Sequence, residues 1–429
     1  MDIAVIPWGK TVLLDESTPL LSVLLIQGGT LIWDHSDGIK LRAQYILITD
    51  EGHFELGTPE EPFCGTPDAP INADIELFGH HRSIRLPIYG SKVFAVRNGT
   101  VDIHGCPIDV TWTVISETAE AGVSELKLKQ PVTNVSEPTR GWKAGDDIVI
   151  ATTGGRLTMK QNEEKKVAWV SNDGLTIGLD SPLEYRHIYH WSTWDGQELE
   201  IAAEVGLLTR NIKFHGNVND EWTTNLTECD EEYNPEENAI QSCYENKWDD
   251  EVGSDQFGAH FILHYIQRAR ISHMEVFHAG QGFQLGRYPL HFHNSGNQPD
   301  SYIQFNGIHH TFNRAVTTHG VWNATVQWNV AFNCMGHNYF IEDAVEEDLI
   351  IQYNLAIKTR VVNLPITENT DKWKFLSNLK INFNFSFNKN GNFGNFIEKN
   401  LYFLKISKLK NNLYFLIITI KVSQVKGSY

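Results

Sequence analysis

The chain has 429 residues, of which 41% are hydrophobic and 11% aromatic, and its formal net charge is −18. This composition is typical of a folded protein, and the length accommodates two or three domains or a single long solenoid. The negative charge argues against nucleic-acid binding, which needs a basic face. No apolar run of 18 residues is present, so no segment of this sequence is expected to span a membrane.

The first 115 residues alternate short strands with turns that contain glycine. Three stretches show a strand, a glycine turn and a second strand of alternating polarity: 24–33, 45–57 and 93–105. Alternation with a period of two is typical of strands with one buried side. Gly29 and Gly52 are 23 residues apart and Gly99 follows at about twice that interval. This spacing matches that of the repeats nearer the C-terminus described below, which predicts that both halves of the chain wind in one continuous manner.

The middle of the chain is expected to be β-rich at first and then acidic. Residues 116–219 contain further strand-like phrases, and we interpret them as β-rich connecting coils. Between residues 220 and 255 the chain carries 13 acidic residues and one Lys. We interpret 220–256 as a solvated loop that a Cys229–Cys243 disulfide closes. A calcium-binding loop is the alternative, because carboxylates and carbonyls are calcium ligands, although no regular ligand spacing is present.

A tetrapeptide of aliphatic residue, Gln, aromatic residue and Asn occurs three times between residues 301 and 358. The copies begin at Ile303, Val326 and Ile351, which are 23 and 25 residues apart. A repeat of this length is the signature of a solenoid, and its β-branched and aromatic content favours a parallel β-helix. The recurring Asn predicts a ladder of side-chain amides at a turn. The β-helix repeats are expected to occupy residues 257–362.

The repeat also predicts which polar side chains lie together. If coils stack in register about 4.8 Å apart, His293, His319 and Glu342 form one column, with Asp343 beside it. Neutral imidazoles next to carboxylates suit general acid–base catalysis, so these four residues are the candidate catalytic set. The same column also fits a structural ladder of hydrogen-bonded side chains. Residues that surround it are candidates for substrate binding: Arg287, His291, His309, His310, Arg314 and His337.

Aromatic side chains near this column have different expected roles. Tyr288 and Trp322 are candidates for stacking on sugar rings, whereas Trp328 is expected to pack inside the coil. Arg287 and Arg314 are expected either to neutralise the two carboxylates or to bind an anionic sugar. Two histidines and a carboxylate are also a known ligand set for a divalent metal, but the sequence alone assigns no particular residue to a metal.

Several longer phrases resemble a known family. They are VIPWGK (5–10), IELFGH (75–80), LPIYG (86–90), WKAGDDIVI (142–150), GRYPLHFH (286–293), IHHTFNRAV (308–316) and FIED (340–343). Together they resemble proteins in which a G8 domain precedes parallel β-helix repeats. Fibrocystin, fibrocystin-like proteins and the cell-migration-inducing hyaluronan-binding proteins belong to that family, and the phrases SDQFG (254–258) and FHAGQ (277–281) are nearer its fibrocystin-like branch.

The resemblance implies a G8 domain over residues 1–115 and an all-β chain that continues into a right-handed, pectin-lyase-like parallel β-helix. It implies an extracellular or cell-surface protein whose leader and anchor lie outside this sequence. The expected partner is a hyaluronan-like glycan or an extracellular protein. The expected function is a receptor-like scaffold or glycan-binding module, and the alternative is a hyaluronan-degrading glycoside hydrolase.

Two further features bear on location and on the chain's end. The sequons at Asn98, Asn134, Asn225 and Asn323 are expected glycosylation sites. Residues 363–429 are rich in Asn, Lys and Phe and contain none of the repeat phrases. We therefore expect this atypical tail to be poorly packed. No cofactor is predicted with certainty, calcium being the one considered.

Overall fold

The computed structural model describes residues 2–66, 68–80, 83–134, 136–154, 158–194, 197–217, 256–282, 284–343 and 346–360, together with a few short strands beyond residue 378. Its strands are numbered β1 to β34 in chain order. Most of them form a parallel β-helix with three faces. Across the described ranges, none of the helical segments is long and apolar enough to cross a bilayer.

The first face is a parallel sheet that runs through both halves of the chain. Its strands pair in the order β1 (Asp2–Ile6), β3 (Leu21–Gln27), β5 (Ile39–Thr49), β8 (Val93–Arg97), β19 (His260–His264), β22 (Leu290–Asn297), β25 (Val316–Trp322), β28 (Tyr339–Ile341) and β31 (Leu379–Lys380). The expectation that both halves wind continuously is confirmed, because β8 pairs in parallel with β5 on one side and with β19 on the other.

The second face has the parallel order β2 (Thr11–Leu14), β4 (Thr30–Trp33), β6 (His53–Leu56), β9 (Thr100–His104), β20 (Arg268–Ser272), β23 (Tyr302–Gln304), β26 (Thr325–Gln327) and β29 (Ile350–Gln352). The third face begins with the first half of β5 and continues through β7 (Ala73–Leu77), β18 (Ile212–Gly216), β21 (Met274–Phe277), β24 (Gly307–His309), β27 (Val330–Met335) and β30 (Leu355–Arg360). Apolar side chains from all three faces fill one continuous core.

The regularly spaced glycines allow neighbouring coils to approach closely. A Cβ atom on Gly52 would lie 2.4 Å from the carbonyl oxygen of Ile26 in the preceding coil, and one on Gly99 would lie 2.9 Å from that of Gly52. A side chain at either position would therefore separate the coils. This contact is the physical reason for the glycine spacing in the sequence.

The predicted amide ladder is present and buried. Asn306 Nδ2 donates to Asn329 Oδ1 at 2.9 Å, and Asn329 Nδ2 donates to Asn354 Oδ1 at 3.0 Å. The predicted register is also confirmed, because Gln304 pairs with Gln327 and Gln327 with Gln352.

The aromatic residue of each repeat occupies the turn that precedes the Asn. Phe305, Trp328 and Tyr353 have φ values of 59°, 56° and 53°. Their rings stack, with the Trp328 and Tyr353 centroids 4.4 Å apart. The expectation that Trp328 packs inside was wrong. The left-handed turn directs the aromatic ring outward and brings the following Asn into the interior.

Residues 112–207 form antiparallel sheets, not the connecting coils that we predicted. Six strands pair in the order β10 (Trp112–Val114), β17 (Glu204–Leu207), β12 (Asp147–Ile150), β13 (Glu163–Val170), β14 (Thr176–Leu179) and β11 (Glu125–Lys127), and β15 (Tyr189–Trp194) forms a hairpin with β16 (Gln197–Ala202). This unit has its own apolar core. It contacts the third face of the helix through Val149, Val330 and Leu355.

The described residues contain a disulfide that we did not predict. Cys64 and Cys106 are bonded, with Cα atoms 4.5 Å apart, and Cys334 is a buried free thiol. The pair was not apparent from the sequence, because the coil brings together residues that are 42 positions apart. A disulfide is consistent with a secreted or surface protein.

Several predictions fall outside the described residues. They are the Cys229–Cys243 pair, the sequon at Asn225, the acidic loop with its possible calcium site, and nearly all of the tail. Within the tail, the structure describes four two-residue strands. Strand β31 extends the first face, and β34 (Ile420–Lys421) lies beside β29. Strand β32 (Leu404–Lys405) pairs with β33 (Ile417–Ile418). The other three sequons lie at described positions, among them Asn98 in the exposed turn between β8 and β9.

Candidate functional site

The candidate site lies on the outer side of the first face, and the strand register builds it. His264 pairs with His293, and His293 pairs with His319. The next strand continues the column, because the Glu342 backbone N–H donates to the carbonyl of Thr318. The predicted column of His293, His319 and Glu342 is therefore present.

Two histidines of one strand point in the same direction. Residues alternate between the two sides of a strand, and Leu290 and Phe292 of β22 are part of the apolar core. His291 and His293 therefore both lie on the outer side. Their ring centroids are 4.9 Å apart, and the His293 and His319 centroids are also 4.9 Å apart.

His319 contacts both carboxylates of the site. Its Nε2 atom lies 2.8 Å from Asp343 Oδ2, and its Nδ1 atom lies 3.8 Å from Glu342 Oε2. Neighbours on a strand face opposite sides, but Glu342 and Asp343 do not, because β28 ends at Ile341 and the chain bends after it. Asp343 is exposed, whereas the Glu342 side chain is only 10% exposed.

A tyrosine and an arginine cover the inner end of the site. The Arg314 guanidinium lies 3.7 Å from the centroid of the Phe340 ring, and its Nη1 donates to the Tyr288 hydroxyl at 2.8 Å. The Tyr288 hydroxyl in turn lies 3.4 Å from Glu342 Oε1. Tyr288 is fully buried, so the expectation that it stacks on a sugar ring was wrong. It holds Glu342 instead.

Burial controls the protonation of the site. It lowers the pKa of His291 far below its usual value, and the neighbouring His293 and His319 lower it further. Burial and the charges of His319, His264 and Arg287 lower the pKa of His293 to about 4. Burial raises the pKa of Glu342 against the opposing effect of Arg314 and His319. His291 and His293 are therefore neutral near pH 7, and the lone pair of each ring is available to accept a proton or bind a metal.

The structure separates the other predicted residues into two groups. Arg287 and His337 lie near the site, with Arg287 half-buried and the His337 ring stacked 4.9 Å from Phe340. His309 and His310 follow the third face instead. They pair there with other carboxylates, His309 with Glu275 at 3.4 Å and His310 with a glutamate of the antiparallel unit at 3.3 Å. They are not part of this site.

Sequence reasoning missed two members of the column. His264 precedes His293 by 29 positions, and Arg97 pairs with His264 one coil earlier. Successive members of the column are 29, 26 and 23 residues apart, because the loops between coils differ in length. A search for one constant offset therefore does not find His264. Tyr89 connects the two, because its hydroxyl lies 3.1 Å from His264 Nδ1 and hydrogen-bonds Arg97.

Three ring nitrogens of the site converge. His291, His293 and His319 each offer one nitrogen, and these nitrogens lie within 4.8 Å of one another. Chemically, the site offers neutral imidazoles for metal binding or proton transfer, a buried carboxylate, and exposed polar side chains along the column.

Two family models match this chain. The G8 domain model covers residues 1–116, and the CEMIP beta-helix model covers residues 256–397. The second begins at residue 256, the first described residue after the gap at 218–255.

Curated relatives match most of the chain but are far longer. Human Fibrocystin-L is 46% identical over 363 residues, which is 83% of this chain and 8% of that protein. Canis lupus familiaris Fibrocystin is 32% identical over 334 residues, 77% of this chain and 8% of that protein. Danio rerio Cell surface hyaluronidase is 30% identical over 249 residues, 56% of this chain and 16% of that protein. This chain thus corresponds to less than a tenth of the fibrocystin-type relatives.

Proposed function

We propose that this chain, which belongs to the family of G8-domain proteins with a CEMIP-type β-helix, is a section of an extracellular or cell-surface scaffold that binds a hyaluronan-like glycan. The observation that carries the proposal is the column on the first face. Arg97, His264, His293 and His319 follow one another on adjacent strands. A rigid row of polar groups at the strand spacing of about 4.8 Å suits an extended polymer.

The exposed end of the column has the chemistry of a sugar site. Arg97 is exposed and supplies a cation for a glycan carboxylate. Tyr265 is 58% exposed, and its ring lies 4.4 Å from that of His264. An exposed aromatic ring beside polar groups provides the apolar surface on which a sugar ring packs.

The net charge of the chain does not prevent an anionic ligand from approaching. Residues 220–255 alone contribute a net charge of −12, which leaves −6 for the rest of the chain. Repulsion from separated exposed charges is screened beyond about 8 Å at physiological ionic strength. The local cation at Arg97 then dominates at the column.

The two carboxylates favour binding over standard glycoside hydrolysis. Retaining and inverting glycosidases place two carboxyl groups on opposite sides of the scissile bond, about 5–5.5 or 6.5–9.5 Å apart. Here Glu342 and Asp343 both contact the same imidazole of His319. Such an arrangement leaves no space for a sugar between them.

The test is a binding titration with hyaluronan of defined length, in parallel with a measurement of that length. We expect Arg97→Ala to weaken binding about tenfold, the cost of one charged hydrogen bond. The matched control is Arg186→Ala, which removes an exposed arginine of the antiparallel unit. Equal weakening by both variants, or no binding by the unaltered chain, would overturn the proposal.

Hyaluronan degradation is the second candidate, and the similarity to Danio rerio Cell surface hyaluronidase favours it. In this case Glu342, whose pKa is raised, would donate a proton and a neutral histidine would accept one. The candidate predicts that hyaluronan is shortened and that Glu342→Gln abolishes shortening while binding persists. Constant chain length, with and without calcium or a chelator, would exclude it.

A further inference from the structure

Four ligand atoms converge at the inner end of the column. His293 Nδ1 and His319 Nδ1 are 3.1 Å apart. Glu342 Oε2 lies 3.8 Å from His319 Nδ1 and 4.0 Å from His291 Nε2. A tetrahedral zinc ion with bonds of about 2.0–2.1 Å separates its ligand atoms by about 3.3 Å. Small side-chain rotations would bring these four atoms to that spacing.

In His291 and His319, one ring nitrogen donates a hydrogen bond to a group outside the cluster. The other nitrogen, which faces the cluster, then carries the lone pair. His291 Nδ1 lies 3.2 Å from the backbone carbonyl of Gly286, to which it must donate. Its Nε2 atom is then unprotonated. In the neutral tautomer in which His319 Nε2 donates to Asp343 Oδ2 at 2.8 Å, the lone pair is on Nδ1. Such outer partners fix the tautomer of metal-binding histidines.

Two buried atoms in the centre of the cluster lack a hydrogen-bond partner among the described residues. They are His291 Nε2 and Glu342 Oε2, and the His291 side chain is 1% exposed. A buried polar atom without a partner costs about 1–3 kcal/mol. A purely structural ladder would leave that cost uncompensated, whereas a cation bound between the two atoms would satisfy both.

Glu342, the fourth ligand, is held in place through the carboxylate oxygen that does not face the imidazoles. Glu342 Oε1 lies 3.4 Å from the Tyr288 hydroxyl and 3.9 Å from Arg314 Nη1. Oε2 is therefore the oxygen that faces the imidazoles. The carboxylate is held in place by the same buried residues that cover the site.

We propose that His291 Nε2, His293 Nδ1, His319 Nδ1 and Glu342 Oε2 bind one first-row divalent metal ion, with zinc as the best fit. Three imidazole nitrogens and one carboxylate suit zinc and its neighbours. Calcium takes six to eight oxygen ligands, so this site selects against it. On binding, the His293 proton moves to Nε2, which faces away from the ion. The site shares His293 and His319 with the glycan-binding column, but zinc binding requires no glycan, so a titration without glycan tests it separately.

The test is calorimetric titration of the chelator-treated chain with ZnCl₂, with CaCl₂ in a parallel titration. We expect one high-affinity zinc ion per chain at this site and no calcium response that depends on it. His319→Ala should abolish the high-affinity phase. The matched control is His310→Ala, which removes a half-buried histidine of the third face and should leave zinc binding unchanged.

A milder variant keeps the proposal testable if His319→Ala fails to fold. Asp343→Asn removes the negative charge of an exposed side chain that contacts the far nitrogen of His319. Changing such an outer partner weakens metal binding by about 10–100-fold. Replacing zinc by cobalt(II) should give the intense visible absorption of tetrahedral nitrogen coordination. Equal zinc affinity in the unaltered chain, His319→Ala and Asp343→Asn, or absence of high-affinity zinc binding, would overturn the proposal.

Discussion

Replacing Asn329 by Ala should destabilise the β-helix strongly, because one side chain joins three coils. Asn329 Oδ1 accepts from the backbone and side-chain nitrogens of Asn306, at 3.0 and 2.9 Å. Its Nδ2 donates to Asn354 Oδ1 and to the carbonyl of Ile303, both at 3.0 Å. All four hydrogen bonds are buried. At about 1 kcal/mol for each bond, the truncation costs about 4 kcal/mol.

The matched control is Gln327→Ala, in the same repeat. Gln327 also joins three coils through its side chain, with hydrogen bonds to Gln304 at 2.9 Å and from Gln352 at 2.7 Å. This ladder is only partly buried, so water replaces the lost bonds. We expect a cost below about 1 kcal/mol.

The measurement is urea unfolding followed by circular dichroism for the unaltered chain and both variants. Because solenoids need not unfold in one step, the midpoint of the β-helix transition is compared where the slopes agree. Asn329→Ala should have a clearly lower midpoint than Gln327→Ala. Midpoints that agree within the equivalent of 1 kcal/mol would refute the idea that burial of the amide ladder stabilises the coils.

Three other changes test separate parts of the molecule. Replacing Cys64 and Cys106 together by Ser should lower stability by up to about 4 kcal/mol, since the bond closes a loop of 42 residues; an unchanged unfolding midpoint without reductant would contradict the pairing. Burial raises the pKa of Glu204 to about 8, so native Glu204 binds a proton that the unfolded chain releases above pH 4.5, and stability falls between pH 4.5 and 8. Glu204→Gln should therefore stabilise the chain by roughly 3 kcal/mol at pH 7 but by only about 1 kcal/mol at pH 5, and an equal effect at both pH values would contradict this. Tyr288→Phe removes the hydroxyl beside Glu342 and should weaken zinc binding about tenfold, whereas unchanged affinity would show that the hydroxyl does not position the carboxylate.

The sequence by itself determined the features that recur from coil to coil. Because a β-helix stacks equivalent strands, a constant offset between repeats gives the register directly. The offset of 23 residues therefore predicted the Asn ladder and placed His319 beside Glu342. Family phrases in the same repeats identified the fold class.

Only the tertiary structure decided the features that depend on unequal segments. Loops of different length separate His264 from His293, so no fixed offset reveals their pairing. The Cys64–Cys106 bond and the antiparallel unit likewise join segments that share no repeat. The position of His291 in the cluster was likewise decided by the tertiary structure, because it depends on a loop that is not part of the repeat. The loop, which carries Tyr288, covers His291 and buries its ring beside the half-buried His293 and His319.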